Sequence, residues 1–239
     1  MTLFALADPH LGFGVDKPMD IFGFRWQDHV SRLEENWRQL VADGDTVLIP
    51  GDISWAMQLQ DALPDLQFID RLPGRKILSR GNHDYWWSSL AKMEQFCRSE
   101  QLTTLSFLRN NGILLEDCRV ICGTRGWILP DDPDFTRADE RIYLREAARL
   151  HLSLEAAAKM RQPGRDLIAC LHYPPFGRDG KPTLLTGLLE QYTVDRCVFG
   201  HIHGSGAYSG GAYCGSAPAG TVAYSLVSAD YLGFKPLRL

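Results

Sequence analysis

The strongest constraint on this chain is an alternation. Short apolar runs rich in Val, Ile, Leu and Phe end at Gly, Pro or a polar residue, and stretches with apolar residues at helical spacing separate them. Residues 2–7, 46–49, 76–78, 119–122, 167–171 and 196–199 read as strands. Their near-continuous apolar character suits strands buried on both faces. Trp26, Val30, Leu33, Trp37, Leu40 and Val41 mark a first helix, closed by Asp43-Gly44-Asp45. Leu59, Leu63, Leu66 and Ile69 suggest a second helical stretch, broken by Pro64. Leu90, Met93 and Phe96 suggest a third. Thr136 to Asp139 has the form of a capping box and opens a long helix that stops before Pro163-Gly164. The order β-α-β-α-β predicts an α/β fold with right-handed crossovers. After Gly204 small residues become dense, and 221–229 and 231–239 read as an antiparallel strand pair with no helix between them. A length of 239 residues allows one large domain or two small ones. With no internal repeat or linker, a single domain over 1–239 is expected.

Composition narrows the function classes. The chain is 45% hydrophobic and 23% charged, ordinary globular values that exclude disordered and low-complexity architectures. A net charge of −4 argues against general nucleic-acid binding, which wants a basic surface. No apolar run reaches the ~18 residues that a transmembrane helix needs. Residues 1–8 lack the basic lead of a signal peptide. The six cysteines form no Cys-x-x-Cys pair and several sit inside apolar runs, so they read as reduced, buried thiols. A cytoplasmic location is the expectation; the sequence sets no oligomeric state.

Chemistry-bearing residues recur where the strands end. Asp8-Pro9-His10 follows the first strand, Gly51-Asp52 the second and Gly81-Asn82-His83-Asp84 the third. His172 follows the strand at 167–171, and Gly200-His201-Ile202-His203 follows that at 196–199. Taken singly, Asp-Pro-His or Gly-Asp is an ordinary turn. Taken together, five segments would bring Asp, Asn and His to the carboxyl edge of a sheet, where α/β proteins bind ligands. Imidazole with carboxylate suits borderline divalent metals such as Mn, Fe, Co, Ni or Zn. Asp8, His10, Asp52, Asn82, His172, His201 and His203 exceed the needs of one four-coordinate ion. Two ions sharing a carboxylate would use them all, an arrangement that clamps the attacking and leaving oxygens of a phosphoryl displacement. Of the remaining histidines, His29 and His151 lie on helical stretches and read as structural.

The ordered set Asp-x-His, Gly-Asp, Gly-Asn-His-Asp, His and Gly-His-x-His, spanning Asp8 to His203, resembles the calcineurin-like metallophosphoesterase superfamily. The resemblance implies a four-layer α/β/β/α fold, a sandwich of two mixed β-sheets flanked by helices. It implies two divalent ions per chain, manganese first, with iron, zinc, nickel or cobalt as alternatives. Asp8, His10, Asp52 and His203 would hold one ion. Asp52, Asn82, His172 and His201 would hold the other, with Asp52 bridging and a metal-bridging hydroxide as nucleophile. His83 would serve the leaving oxygen as a non-ligand, and Asp84 would orient His83. The pattern departs from the family at Trp55, where Asp or Asn often stands and where the ring would shape the pocket instead.

The implied function is phosphoester hydrolysis, as phosphodiesterase or phosphatase, on nucleotides or other small organic phosphates. A manganese-dependent nuclease is the alternative within the fold, and a non-catalytic scaffold the alternative outside catalysis. Aromatic residues crowd the strand ends, so Trp55 and Trp86 are candidate substrate contacts. Arg125, in Gly-Thr-Arg-Gly-Trp, is a candidate bidentate phosphate grip. The stretch 12–26, with Met19, Ile21, Phe22 and Phe24, reads as a lid or an apolar contact surface.

Overall fold

The structure, a computed structural model, describes residues 1–177, 180–204, 214–216 and 220–239. The chain divides into two compact units, residues 1–107 with 227–239, and residues 108–226.

The first unit alternates strand and helix: β1 (Leu3–Ala5), α1 (His29–Leu40), β2 (Thr46–Pro50), α2 (Leu63–Arg71), β3 (Arg75–Ser79), α3 (Leu90–Ser99) and β4 (Leu105–Phe107). The second carries β5 (Ile113–Leu114), β6 (Val120–Thr124), α4 (Arg137–Ala158), β7 (Leu167–Leu171), α5 (Leu184–Gln191), β8 (Arg196–Phe199), β9 (Cys214–Ser216) and β10 (Ala223–Leu226). β11 (Leu237–Arg238) then returns to the first unit.

Sheet order in the first unit is β11-β1-β2-β3-β4, parallel except for β11, which runs against β1. Phe4, Leu6, Val47, Ile49 and Leu78 pack on Leu33 and Trp37 of α1, Leu66 and Ile69 of α2, and Met93 and Cys97 of α3. Sheet order in the second is β5-β6-β7-β8-β10-β9, with a parallel centre and antiparallel edges. Tyr143, Leu150, Leu154 and Ala157 of α4 cover Val120, Cys122, Leu167, Ala169 and Leu171 there. The capping box expected at Thr136 forms, with Asp139 N–H on Thr136 Oγ1 and Thr136 N–H on Asp139 Oδ2 at 3.0 Å. Two mixed sheets with flanking helices agree with the α/β expectation.

Three expectations are corrected. Pro64 does not break the second helix but lies in the first turn of α2, where its missing N–H would be unpaired anyway. The C-terminal strands do not pair with each other. β10 lies parallel to β8, while β11 pairs with β1 in the other unit. Between them Ala7 N–H donates to Val227 O at 2.7 Å and Ala229 N–H to Ala7 O at 2.9 Å, so the end of β1 captures this segment. The first helix begins at His29, and Trp26 belongs to a preceding 3-10 turn. Cys97, Cys118, Cys122, Cys170 and Cys197 are free thiols. The glycine-rich run after Gly204 and the Cys214 side chain lie outside the described residues. Among the described residues no helix is long and apolar enough to cross a membrane.

One buried cation ties the first unit together. Lys76 of β3 is fully buried, and its ammonium donates to Leu72 O and Asp70 O at the end of α2 and to Thr104 Oγ1 before β4. Burial lowers its pKa from an ordinary 10.5 to about 8, despite the opposing pull of Asp70 and Asp43. Between those values the unfolded chain holds the extra proton, so this group makes stability rise as pH increases through that window. Urea midpoints measured from pH 8 to 10.5 should show that rising component in the parent chain and not in Lys76→Met.

Candidate metal centre

In the first unit the strand ends are interlocked through backbone. Asp8 N–H donates to Gly51 O at 3.0 Å, His10 N–H to Asp52 O at 3.1 Å and Leu11 N–H to Ile53 O at 2.9 Å. The loop after β3 is pressed against the loop after β2. A Cβ on Gly81 would lie 2.1 Å from Asp52 Oδ1, and one on Gly51 would lie 2.5 Å from Gly81 N. The two Gly-x motifs read in the sequence are therefore one packing contact. His83 N–H closes it by donating to Asp52 Oδ1 at 2.8 Å.

Asp8, His10 and Asp52 all adopt left-handed backbone, with φ of 57°, 46° and 52°. Such backbone costs about 1–3 kcal/mol per non-glycine residue and persists where surroundings enforce it, characteristically at functional sites. All three side chains are also buried, at 0%, 3% and 1% exposure, and His10 Nε2 lies 3.8 Å from Asp52 Oδ2. Buried carboxylates need a countercharge. Two acids, an imidazole and the half-buried amide of Asn82 on adjoining strand ends form a donor set that suits a divalent cation.

Asp84 is fully buried, and its role differs from the expected one. Oδ2 accepts N–H bonds from Gly81 at 2.7 Å and Asp52 at 2.9 Å. Oδ1 accepts from Ile53 at 2.9 Å, Ser54 at 3.2 Å and Trp86 Nε1 at 3.0 Å. The carboxylate thus pins the Asp52 loop to the His83 loop; it is a backbone clamp, not the group that orients His83. Burial pushes its pKa up to about 7, the Asp52 charge adds to the rise, and the backbone N–H bonds oppose it.

His83 itself is half-buried, with its ring 5.7 Å from that of His10 and 4.4 Å from that of Trp55. Trp55 stacks on His10 at 4.8 Å and 20°, its Nε1 donates to Met19 Sδ at 3.1 Å, and Lys17 Nζ sits 3.6 Å from its ring centre. Trp55 therefore walls the His10 side. Trp86 does not present itself to a substrate: it is 2% exposed and its one polar side-chain atom is bonded to Asp84. In the 12–26 stretch Met19 and Trp26 are buried, while Ile21, Phe22 and Phe24 are exposed.

In the second unit His172 follows β7 and is fully buried. Its N–H and that of Tyr173 both donate to Arg125 O, at 3.1 and 2.9 Å, and Gly200 N–H donates to His172 O at 3.0 Å. The His172 and His201 rings lie 5.1 Å apart, close enough for both to ligate one ion. Tyr173 packs on His201 at 4.0 Å, and His201 adopts a φ of 71°. His203, two residues on, is exposed. The Arg125 side chain is not a free phosphate fork. It lies 4.3 Å over Trp127 with its Nη2 3.5 Å from the buried Glu146, which also accepts from Thr124 Oγ1 at 2.6 Å and Arg149 Nη1 at 2.6 Å. Neither the clamp made by Asp84 nor the left-handed residues carry a signal in side-chain pattern.

Residues 1–205 match the profile of the calcineurin-like phosphoesterase family. Solved structures share the fold at low identity. A protein of unknown function from Aquifex aeolicus is 15% identical with a TM-score of 0.50, over 99% of this chain and 95% of that one. The phosphopantetheinyl hydrolase of Mycobacterium tuberculosis is 13% identical with a TM-score of 0.50, over 84% and 83%. A protein of Thermus thermophilus is 12% identical with a TM-score of 0.50, over 84% and 81%. No curated protein matches the chain.

Proposed function

The chain belongs to the calcineurin-like phosphoesterase family, and from that premise we propose that it hydrolyses small organic phosphoesters, nucleotides among them, with two divalent ions, manganese first. It is a metal-dependent phosphoester hydrolase by family; the ligand assignment and the substrate are the proposal. Asp8, His10, Asp52 and His203 hold one ion, and Asp52, Asn82, His172 and His201 the other. When bound, such ions supply charge neutralisation and a water acidified enough to attack phosphorus.

The protein's part is positioning. Asp8, His10 and Asp52 are fixed by backbone bonds before any ligand arrives, which spares reorganisation. His83 is accessible and adjoins His10, so it is suited to hold the proton that the leaving oxygen takes. Trp55 excludes water from the His10 face. The observation that carries the reading is the burial of Asp8 and Asp52 in strained backbone beside His10.

Removal and return of metal tests it. Chelator-treated protein should lose hydrolysis of aryl phosphate mono- and diesters, and manganese should restore it, with two equivalents bound per chain by calorimetry. His83→Ala should keep both equivalents yet lose about 10²–10⁴ of turnover, the usual worth of a proton-transfer group. Undiminished hydrolysis after chelation, or one equivalent at saturation, would overturn the reading.

A further inference from the structure

The second unit holds a cavity of about 400 Å³ that reaches His201 and His203. Its walls are Trp127, Leu129, Tyr173, Phe176 and Ile202, and the carboxylates Asp131 and Asp132 also line it. That volume lies in the range of small-molecule sites, which are mostly apolar with a few placed polar groups.

The aromatic wall is fixed before anything binds. Trp127 Nε1 donates to Asp139 Oδ1 at 2.9 Å, the Arg125 guanidinium covers the ring, and Tyr173 meets it at 5.5 Å between ring centres. Arg125 does not line the cavity; its guanidinium lies over Trp127 and within 3.5 Å of Glu146. Asp131 is held over Gly177, where a Cβ would come within 2.2 Å of Asp131 Oδ2; any other residue there would displace the carboxylate. The cavity therefore offers flat apolar contact and an acidic edge formed by Asp131 and Asp132.

We propose that this cavity receives the leaving alcohol of the phosphoester, and that it selects an alcohol with a flat apolar face that is neutral or cationic. An alcohol carrying a further anionic group is disfavoured, because Asp131 and Asp132 repel it. The inference rests on the hydrolase reading above, in which His201 and His203 belong to the two ions, so an ester held there projects its alcohol into the cavity. A nucleoside fits this description; a leaving group with its own phosphate does not.

Three aryl phosphates that differ only at the para position test it: 4-aminomethylphenyl, 4-methylphenyl and 4-carboxyphenyl phosphate, as monoesters and as methyl diesters, at low salt with manganese present. In the parent chain kcat/KM for the carboxy ester should fall at least about fivefold below the methyl ester, as like charges a few ångströms apart require. This should hold although the carboxy ester carries the better leaving group. Asp131→Asn combined with Asp132→Asn should close most of that gap and lower the aminomethyl ester's advantage. Trp127→Ala should raise KM for all three by about tenfold, as loss of a stacking face does, with the effect on KM exceeding that on kcat. Equal rates for carboxy and methyl esters in the parent chain, or ratios unmoved by the combined Asp131→Asn and Asp132→Asn change, overturn the inference and leave the hydrolase reading standing. No metal-dependent release from any of the six esters overturns both.

Discussion

Asp52→Asn should cost on the order of 10³-fold in turnover, the scale set by removing charge aimed at a phosphoryl transfer, while the chain stays folded. Asp52 joins everything else at the first unit's edge. Its N–H is held by Asp84 at 2.9 Å, its Oδ1 by His83 N–H at 2.8 Å, and its Oδ2 lies 3.8 Å from His10 Nε2. Asparagine has the same size and can keep the bond from His83. What it loses is the negative charge and the second acceptor oxygen that a residue shared by two ions must have. The amide would instead turn a donor toward His10. Metal analysis should therefore show fewer than two equivalents at concentrations that saturate the parent, with kcat rather than thermal stability carrying the loss. Parent-level turnover in this variant would sink the shared-carboxylate arrangement.

The residues that bear chemistry were legible because their spacing carries geometry. Gly51 and Gly81 precede Asp52 and Asn82 for a reason visible in the fold: the two loops touch where any side chain would intrude. Strands at 167–171 and 196–199 were legible because a run of five apolar residues in the first, and of three after Arg196 in the second, suits a covered parallel strand. Other features depend on partners far along the chain, which local pattern does not report. Arg125 looked free until Glu146, on α4, met it. Trp86 looked like a substrate platform until its N–H found Asp84. The C-terminal segments read as a hairpin because each is apolar, yet one completes the second sheet and the other edges the first. Helix α5 has eight residues with Gly187 inside it, too short and too weak in propensity to stand out. The left-handed φ values at Asp8, His10, Asp52 and His201 are imposed by neighbouring strands and have no counterpart in residue type.

Asp84 supplies the largest expected stability effect. Five N–H groups from Asp52, Ile53, Ser54, Gly81 and Trp86 converge on its two oxygens, and the residue is wholly buried. Asp84→Ala leaves those donors facing an apolar gap. Each unsatisfied buried donor costs about 1–3 kcal/mol, but the loops can relax and admit water, so the sum is not additive; a net loss of roughly 3–5 kcal/mol is expected. That is a large share of the ~5–15 kcal/mol that holds a typical domain. Asp84→Asn should fall between: one oxygen remains, while its NH₂ meets N–H groups that have nothing to accept it. Urea unfolding followed by circular dichroism should order the midpoints parent, Asn, Ala. The same series separates two roles for this carboxylate. If Asp84 acted by steering the His83 proton, the Asn variant would unfold at the parent midpoint and lose kcat alone. A clamp instead shifts the midpoint first, and weakens metal binding with it, because Asp52 is the residue whose backbone it holds.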